Sequence, residues 1–536
     1  MHSTTDAVII GGGINAMVAA AELSGAGWSV TLIERNQELG GFIASGERTL
    51  PGYVHDTYSS WHPLFLAGPA YASLGADLHR HGLEYRNTDG YVTASVDDDG
   101  NVAIAHRDPE RTAAGFEHAA DRAFYLASLD RFVDNVDRVG SLLGTELHSW
   151  SAVRQGLGLL RSVGRRSGES WARDVLTSGR SWCRNGFAGT EVDQLWTPWL
   201  LHAGLSPDHA SGGFMLPVLA ATVHGFGLPV VAGGAGNFVA AFRGLLEERG
   251  VQIVTGLEVD SVQVARKRAV GVSAGPHRWE ARRAVLASVA PRTLYHDLLR
   301  GTDMVSATTR LDAQRYRAGR GEMQIHVALS SPLAWKDQRL SETPLIHISD
   351  GSRSTGIACA EAEAGLLPRQ PTVVVGQQYL LDPSRVPPGA ASLWLQLQEV
   401  PYSPAGDASG KIDTSAGWTP DTAAAYAERV LDRIEQHAPD LRAKVLAVDI
   451  VTPVDLERYN PNAIYGDPYG GSAELDQNFL WRPLPSAGSH RTQVQSLWHI
   501  GAATHPGPGL GGGSGHLVAQ ELTTSRNPFR LSRSKR

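Results

Sequence analysis

Ala7-Val8-Ile9-Ile10-Gly11-Gly12-Gly13-Ile14-Asn15-Ala16-Met17-Val18-Ala19-Ala20-Ala21-Glu22-Leu23 is the stretch that decides the fold. Residues 7–10 are a short, wholly apolar run, as a strand buried on both faces requires. Three glycines follow at once, then an alanine-rich helix expected to run to about residue 26, with Gly27 as its stop. Residues 28–33 read as a second strand, closed by Glu34. A strand, a tight turn, a helix and a second strand make the opening of a parallel α/β sheet.

Within that unit the turn reads Gly11-x-Gly13-x-x-Ala16. Gly11 permits the tight turn, Gly13 lets the backbone approach a pyrophosphate, and Ala16 allows close packing of helix on strand. The helix N-terminus, at Ile14 and Asn15, offers free N–H groups and a positive dipole end to phosphates. Glu34, with Arg35 beside it, ends the second strand, where a carboxylate accepts both hydroxyls of an adenosine ribose. It repels a 2′-phosphate, which favours FAD or NAD over NADP. The competing reading is a glycine-rich turn that holds no ligand.

The chain has 536 residues, enough for two or three packed units. Its 42% hydrophobic and 19% charged residues are those of an ordinary globular protein. A net charge of −7 gives no sign of a nucleic-acid binder. Cys183 and Cys359 are the only cysteines, so neither a disulfide framework nor a thiolate metal site is expected, and a reducing cytoplasm fits. No signal peptide and no membrane span are expected. Arginines crowd residues 154–184, and Arg526, Arg530, Arg533, Lys535 and Arg536 make a basic tail. Weak contact with an anionic membrane surface is one reading of these; a solvated helix face and a disordered tail are the other.

Three further segments carry a family resemblance. Gly40-Gly41, just past Glu34, resembles the second FAD motif of the superfamily of amine oxidases, phytoene desaturases and GDP-dissociation inhibitors. The C-terminal run Gly501-Ala502-Ala503-Thr504-His505-Pro506-Gly507-Pro508-Gly509-Leu510-Gly511-Gly512-Gly513 looks like the loop that lies under the flavin in phytoene desaturase-like enzymes. Residues 228–285 look like the superfamily's β-α-β return into the FAD domain, with Val259 at the position whose backbone contacts adenine. Asn15 is also favoured in phytoene desaturase-like proteins. The resemblance implies FAD as cofactor, held by Gly40, Gly41, Phe42, Gly501, Ala502, Gly511 and Gly512, with His505 in a supporting role. One departure is Phe42, where the family often has Arg at a flavin-phosphate contact. No second dinucleotide fingerprint follows a strand, so a built-in NAD(P)H domain is not expected.

The fold expected is α/β: a Rossmann-type FAD domain with a parallel sheet, discontinuous in sequence (1–110, 222–310 and 490–536), and a mixed-sheet substrate domain (311–489) with a helical insertion (111–221). Helices are read at about 115–146, 150–164, 169–178, 190–203 and 420–437, the last capped by Thr419. Strands are read at 323–335, 345–349, 372–380 and 392–399.

A flavin carries its own redox chemistry, so acid–base help from the protein is optional. Residues 52–65 are rich in proton-moving and stacking groups, and the resemblance implies that they run beside the flavin. His62 is the foremost candidate acid/base and Tyr58 the second; His55 and Asp56 are also read as loop-holding groups. Tyr465 and Tyr469 are candidates to close the pocket, or to pack as a surface turn. His202 and His209 are candidates to face substrate. No Gly-x-Ser-x-Gly elbow and no metal-ligand spacing occur. The expected partner is a lipophilic small molecule. Residues 42–49 and 59–65 look similar to phytoene dehydrogenase-like enzymes of polycyclic tetramate macrolactam pathways, which implies redox cyclisation of a polyene macrolactam. External NADPH would then reduce the flavin. Carotenoid desaturation, amine oxidation and a GDP-dissociation-inhibitor-like binding role are the alternatives.

Overall fold

The computed structural model describes residues 2–136, 144–150, 152, 154, 155, 158 and 169–524. In chain order, β1 (His2–Ile10), α1 (Ile14–Gly25) and β2 (Val30–Ile33) come first, then the hairpin β3 (Tyr91–Val96) and β4 (Val102–His106). Helices α2 (Gly212–Phe226) and α3 (Gly236–Glu248) precede β5 (Gln252–Val254), β6 (Ser261–Ala265), β7 (Arg268–Ala274) and β8 (His277–Ala287). There follow β9 (Gly321–Leu329), β10 (Leu345–Ile348), β11 (Val373–Gly376), β12 (Ala391–Val400), α4 (Pro420–Glu435), β13 (Val445–Val451), β14 (Leu497–His499) and α5 (Gly513–Thr524).

The first sheet runs β6–β7–β8–β1–β2–β5, with β14 also paired to β8. β1 is parallel to β2 and to β8, β2 to β5, and β8 to β14. This is a Rossmann-type sheet assembled from the beginning, the middle and the end of the chain, as expected. β1 starts at His2 rather than at residue 7, because His2, Ser3, Thr4 and Thr5 find partners on the outer half of β8.

Helix α1 is buried on all sides from Ile14 to Leu23. A helix enclosed in this way needs small residues around its whole circumference, and alanine at 16, 19, 20 and 21 meets that need. It is sandwiched between the sheet, α3 and α5. The one acid on it, Glu22, is satisfied by His516 Nδ1 at 2.7 Å and by the Gln520 amide at 3.3 Å.

The second sheet runs β13–β9–β12–β11–β10–β3–β4. It is mixed: β3 lies parallel to β10, and the other pairings are antiparallel. Helix α4 covers one face through Tyr426, Val430 and Ile434. Thr419 caps it, its hydroxyl accepting the Thr422 N–H at 3.1 Å. Trp182, Trp196, Trp199 and α2 cover the other face.

The structure departs from the sequence expectations in several places. The β3–β4 hairpin, expected in the first unit (1–110), pairs with β10 and extends the second sheet. Its alternation marks a strand, but its partner lies about 250 residues away and no local signal names it. The helix expected over about 115–146 begins only at Ala119 and runs to Val133, after a separate short helix, Pro109–Ala114, that was not expected. The helix expected over 190–203 is α-helical only to Trp196 and then tightens to a 3-10 turn at Pro198. Helix α2 was not expected, because Pro217 stands inside it. The strand read at 323–335 ends at Leu329, and β13 was not expected. The expected helix 150–164, much of the arginine run and the basic tail fall largely or wholly outside the described residues. Among the described residues no helix is long and apolar enough to cross a membrane.

Candidate active site

The C-terminal end of β1 leads straight into the glycine turn. Gly11 adopts a φ of +95°, where a side chain is strained, and a Cβ there would stand 3.0 Å from the Ser288 carbonyl oxygen. Gly12 donates its N–H to Glu34 Oε2 at 2.6 Å, and the Asn36 N–H binds Glu34 Oε1 at 2.8 Å. These bonds anchor the carboxylate at the end of β2. Burial pushes its pKa up, against the pull of the two N–H groups. Gly13 is different. It caps α1 with an ordinary φ of −71°, no side chain caps the helix, and a Cβ at Gly13 would meet no atom. The space beside Gly13, at the start of α1, is therefore open.

Gly40 and Gly41 lie against this turn. The Gly40 N–H donates to the Gly12 carbonyl at 2.9 Å, and a Cβ on Gly41 would touch the Gly13 Cα at 3.4 Å. From the other end of the chain, the Gly515 N–H donates to Asn15 Oδ1 at 3.2 Å. A Cβ on Gly515 would overlap the Asn15 carbonyl, so only glycine lets α5 sit here. The Ser514 hydroxyl accepts the Gly501 N–H at 3.1 Å.

One cavity of about 310 Å³ joins these pieces, within the usual range for small-molecule sites (~300–1,000 Å³). Of the residues singled out in sequence, Gly13, Ile14, Asn15, Gly40, Gly41, Phe42, Gly501, Ala502 and Tyr58 line it. Gly11 and Ala16 stand behind it, as turn and core. Glu34, Arg35 and Val259 are not among its lining residues; Val259 is buried in the core on the far face of the first sheet. In the C-terminal loop, Gly509 and Leu510 line the cavity, whereas Gly512 packs towards Val18 and Gly511 lies by Leu64. His505 is buried off the cavity, and its carbonyl accepts from His490 Nε2 at 2.8 Å.

His62 does not reach the cavity. Its neighbours Trp61, Pro63 and Leu64 do, while the imidazole turns into the core. It sits edge-on to Phe238 at 5.1 Å, with Nδ1 3.0 Å from the Tyr85 hydroxyl. Burial pushes its pKa down to about 4. The ring is thus neutral and packed, and the acid/base role expected for it finds no geometry. Tyr465 also fails to close the pocket. Its backbone is left-handed (φ +58°) and its ring is half exposed against Tyr402, 5.3 Å away, although Ile464 before it lines the cavity. His209 lies near Glu363 and Glu474, away from the cavity.

Tyr58 meets Phe42 edge-on at 5.0 Å and leans over Tyr459 at 4.8 Å. Burial drives its phenol far above the usual value, so it donates and does not act as a base. His55 and Asp56 hold the loop. His55 Nε2 lies 2.9 Å from the Thr49 hydroxyl. Asp56 takes the Ala235 N–H at 2.7 Å and the Arg385 guanidinium at 2.7 Å. His202 lines the cavity, with Nε2 3.0 Å from His347 Nε2; burial drops its pKa to about 3.

Of the cavity's polar floor, only Tyr469 was singled out in sequence. Glu322, Gln324, Gln396, Gln398 and Tyr469 line it. The Gln398 amide donates to the Tyr469 hydroxyl at 2.7 Å, Tyr469 donates to Glu322 Oε1 at 3.4 Å, and the Gln396 amide also donates to Glu322. Burial, with Asp467 nearby, pushes the Glu322 pKa up to about 8. A signal was present. Glu322-Met-Gln324-Ile-His326 and Gln396-Leu-Gln398 put polar residues at period two inside otherwise apolar strands, and Gln324 and Gln396 are cross-strand partners. The opposite wall is apolar, with Trp61, Leu64, Trp199, Leu219 and Val223. No lysine or arginine lines the cavity among the described residues. Nor is any group of three His, Cys, Asp or Glu placed to hold a metal ion among them.

Residues 9–74 match the NAD(P)-binding Rossmann-like domain family. Over 96% of its length the chain is 29% identical to pyridine nucleotide-disulfide oxidoreductase domain-containing protein 2 of Mus musculus, covering 94% of that protein. It is 22% identical to 4,4'-diaponeurosporene oxygenase of Staphylococcus haemolyticus, over 94% of this chain and 93% of that one. Among solved structures, cyclohexylamine oxidase from Brevibacterium oxydans superposes with a TM-score of 0.58 at 16% identity, covering 97% of this chain and 99% of that one. The chain therefore has the fold of the amine-oxidase-like oxidoreductases, built on a dinucleotide-binding Rossmann unit.

Proposed function

We propose that the chain is an FAD-dependent oxidoreductase that moves hydride to or from a long, neutral, polyene-type substrate. One observation carries this reading. One cavity runs from the glycine cradle to an apolar wall of Trp61, Trp199, Leu219 and Val223, with no lysine or arginine among the described residues along it. The cradle suits the cofactor. The empty space at Gly13, the uncapped start of α1 and the apposed Gly41 suit a pyrophosphate held by backbone N–H groups. Glu34, fixed at the end of β2, keeps free lone pairs for ribose hydroxyls. Bound FAD supplies the acceptance and donation of hydride.

The chain's own residues bind, orient and exclude water. The tryptophans and leucines desolvate the hydrocarbon. Tyr58 and Phe42 form an aromatic side wall. Glu322, protonated at neutral pH, is the one carboxyl lining the cavity among the described residues, and it can hold or release a proton near substrate.

Relatives such as 4,4'-diaponeurosporene oxygenase are named for carotenoid-type polyenes, which favours that substrate class over ring closure of a polyene tetramate macrolactam. The macrolactam reading is the narrower one. It needs NADPH-reduced flavin, and a cavity with no lysine or arginine among its described lining residues gives an acidic tetramate no cationic partner there. The test is anaerobic. FAD-loaded protein is mixed separately with a carotenoid hydrocarbon, with NADPH, and with NADPH followed by a macrolactam, while flavin absorbance is followed. Bleaching by the hydrocarbon supports the proposal. Bleaching by NADPH, with reoxidation only by macrolactam, replaces it with reductive cyclisation. A protein that takes up no FAD overturns it.

A further inference from the structure

The floor of the cavity is built to accept hydrogen bonds. Gln324 and Gln398 are 1% and 2% exposed, and each has a side-chain oxygen that is buried without a partner. Such orphans cost free energy unless something donates to them (~1–3 kcal/mol each). Three donors around them are turned onto one another and onto Glu322. The Gln398 amide is turned onto Tyr469, Tyr469 onto Glu322, and the Gln396 amide onto Glu322 as well. Each of these amides keeps a second N–H, but the groups left wholly without a partner are the oxygens of Gln324 and Gln398.

A pure hydrocarbon leaves these oxygens unsatisfied. An anion is repelled by them. A cation would need the ionised form of Glu322, which burial disfavours. A neutral O–H or N–H satisfies them without transferring charge into an apolar chamber. Resting on the function proposed above, we propose that the cavity selects substrates that carry one neutral hydrogen-bond donor on an otherwise apolar skeleton, read by the side-chain oxygens of Gln324 and Gln398. Trp61 and Trp199 grip the skeleton, and the two glutamines read its polar end.

The test uses the full-length, FAD-loaded protein and three C20 polyene probes: retinol, its hydrocarbon counterpart axerophthene, and retinylamine. Trp61, Trp199 and Trp394 line the cavity, so quenching of tryptophan emission reports binding. Retinol is expected to bind at least tenfold tighter than axerophthene. Gln324→Leu with Gln398→Leu should erase that preference while axerophthene binds as before, with flavin retention and the melting temperature confirming the fold. Equal binding of retinol and axerophthene by the wild-type protein overturns the proposal without recourse to any variant. Retention of the preference in the double variant also overturns it. Retinylamine binding tighter than retinol, with the gain lost in Glu322→Gln, overturns it in favour of an ammonium site. Flavin bleached equally by axerophthene and retinol, with equal affinities, overturns the donor rule but leaves the oxidoreductase reading intact. Failure to take up FAD does the reverse, because the fluorescence comparison still reports on the floor.

Discussion

Replacing Gly13 with valine separates loss of ligand from loss of fold. At this position φ is −71°, a conformation valine adopts freely, and a Cβ would touch nothing in the protein. No side-chain cap is lost, so the fold should lose no more than about 1 kcal/mol. The added methyls instead fill the space in front of the first N–H groups of α1. Each N–H to phosphate bond there is charge-assisted and worth about 1.5–3 kcal/mol. Losing one weakens FAD binding by about 10- to 100-fold, and losing two by the product. Gly11→Ala is the contrast. It forces a side chain into φ +95° and sets a Cβ 3.0 Å from the Ser288 carbonyl, so stability and FAD binding fall together. The assay pairs flavin titration of apoprotein with thermal unfolding without cofactor. A Gly13→Val protein that binds FAD as tightly as the wild type would refute the placing of the pyrophosphate at the start of α1.

Other expectations follow from buried groups. His62→Ala should lower stability by roughly 2–3 kcal/mol through lost packing on Phe238 and Tyr85, with turnover per folded molecule unchanged; a slow but fully stable variant would return His62 to the chemistry. The raised pKa of Glu322 means that the folded state holds a proton which the unfolded state has released. Its stabilising effect is whole below about pH 4.5 and is lost as pH rises towards about 8, with a slope of order 1 kcal/mol per pH unit. Glu322→Gln should flatten that part of the stability–pH curve, and an unaltered curve counts against the buried acid. Arg385, 1% exposed, holds Asp56, Asp382 and the Val231 carbonyl together. Arg385→Leu should cost about 3–5 kcal/mol by stranding Asp56, read by chemical denaturation, whereas a change under about 1 kcal/mol would show that water replaces it.

The dinucleotide unit was legible because its logic is local. Strand, turn, helix and acid lie within residues 7–34, and each residue type answers a local demand of backbone or charge. The cradle's other parts, Gly40-Gly41 and the loop from Gly501, were legible only through resemblance, since nothing near them names their partner. The floor was missed for a related reason. Glu322 and Gln398 sit on strands that read as apolar, and they become a site only when β9 and β12 pair. The misplaced roles of His62 and Tyr465 have another cause. Sequence gives a residue's position along a loop, but not whether its side chain turns to the cavity, to the core or to solvent. At 62 it turns to the core, and at 465 a left-handed backbone turns it outward.

The bond between the Gly515 N–H and Asn15 Oδ1 spans 500 residues of chain. It has a temporal side. A ribosome adding roughly 5–20 residues per second takes about 25–100 s to cover that interval. Throughout that time α1 lacks its lid, and the edge of β8 that will receive β14 is bare. The nucleotide site is therefore among the last parts of the molecule to be completed, however early its first glycines are made. The cofactor is received by a nearly finished protein rather than by a growing one. A chain cut short before α5 should emerge colourless and prone to capture by chaperones, even with every residue of its N-terminal glycine turn in place.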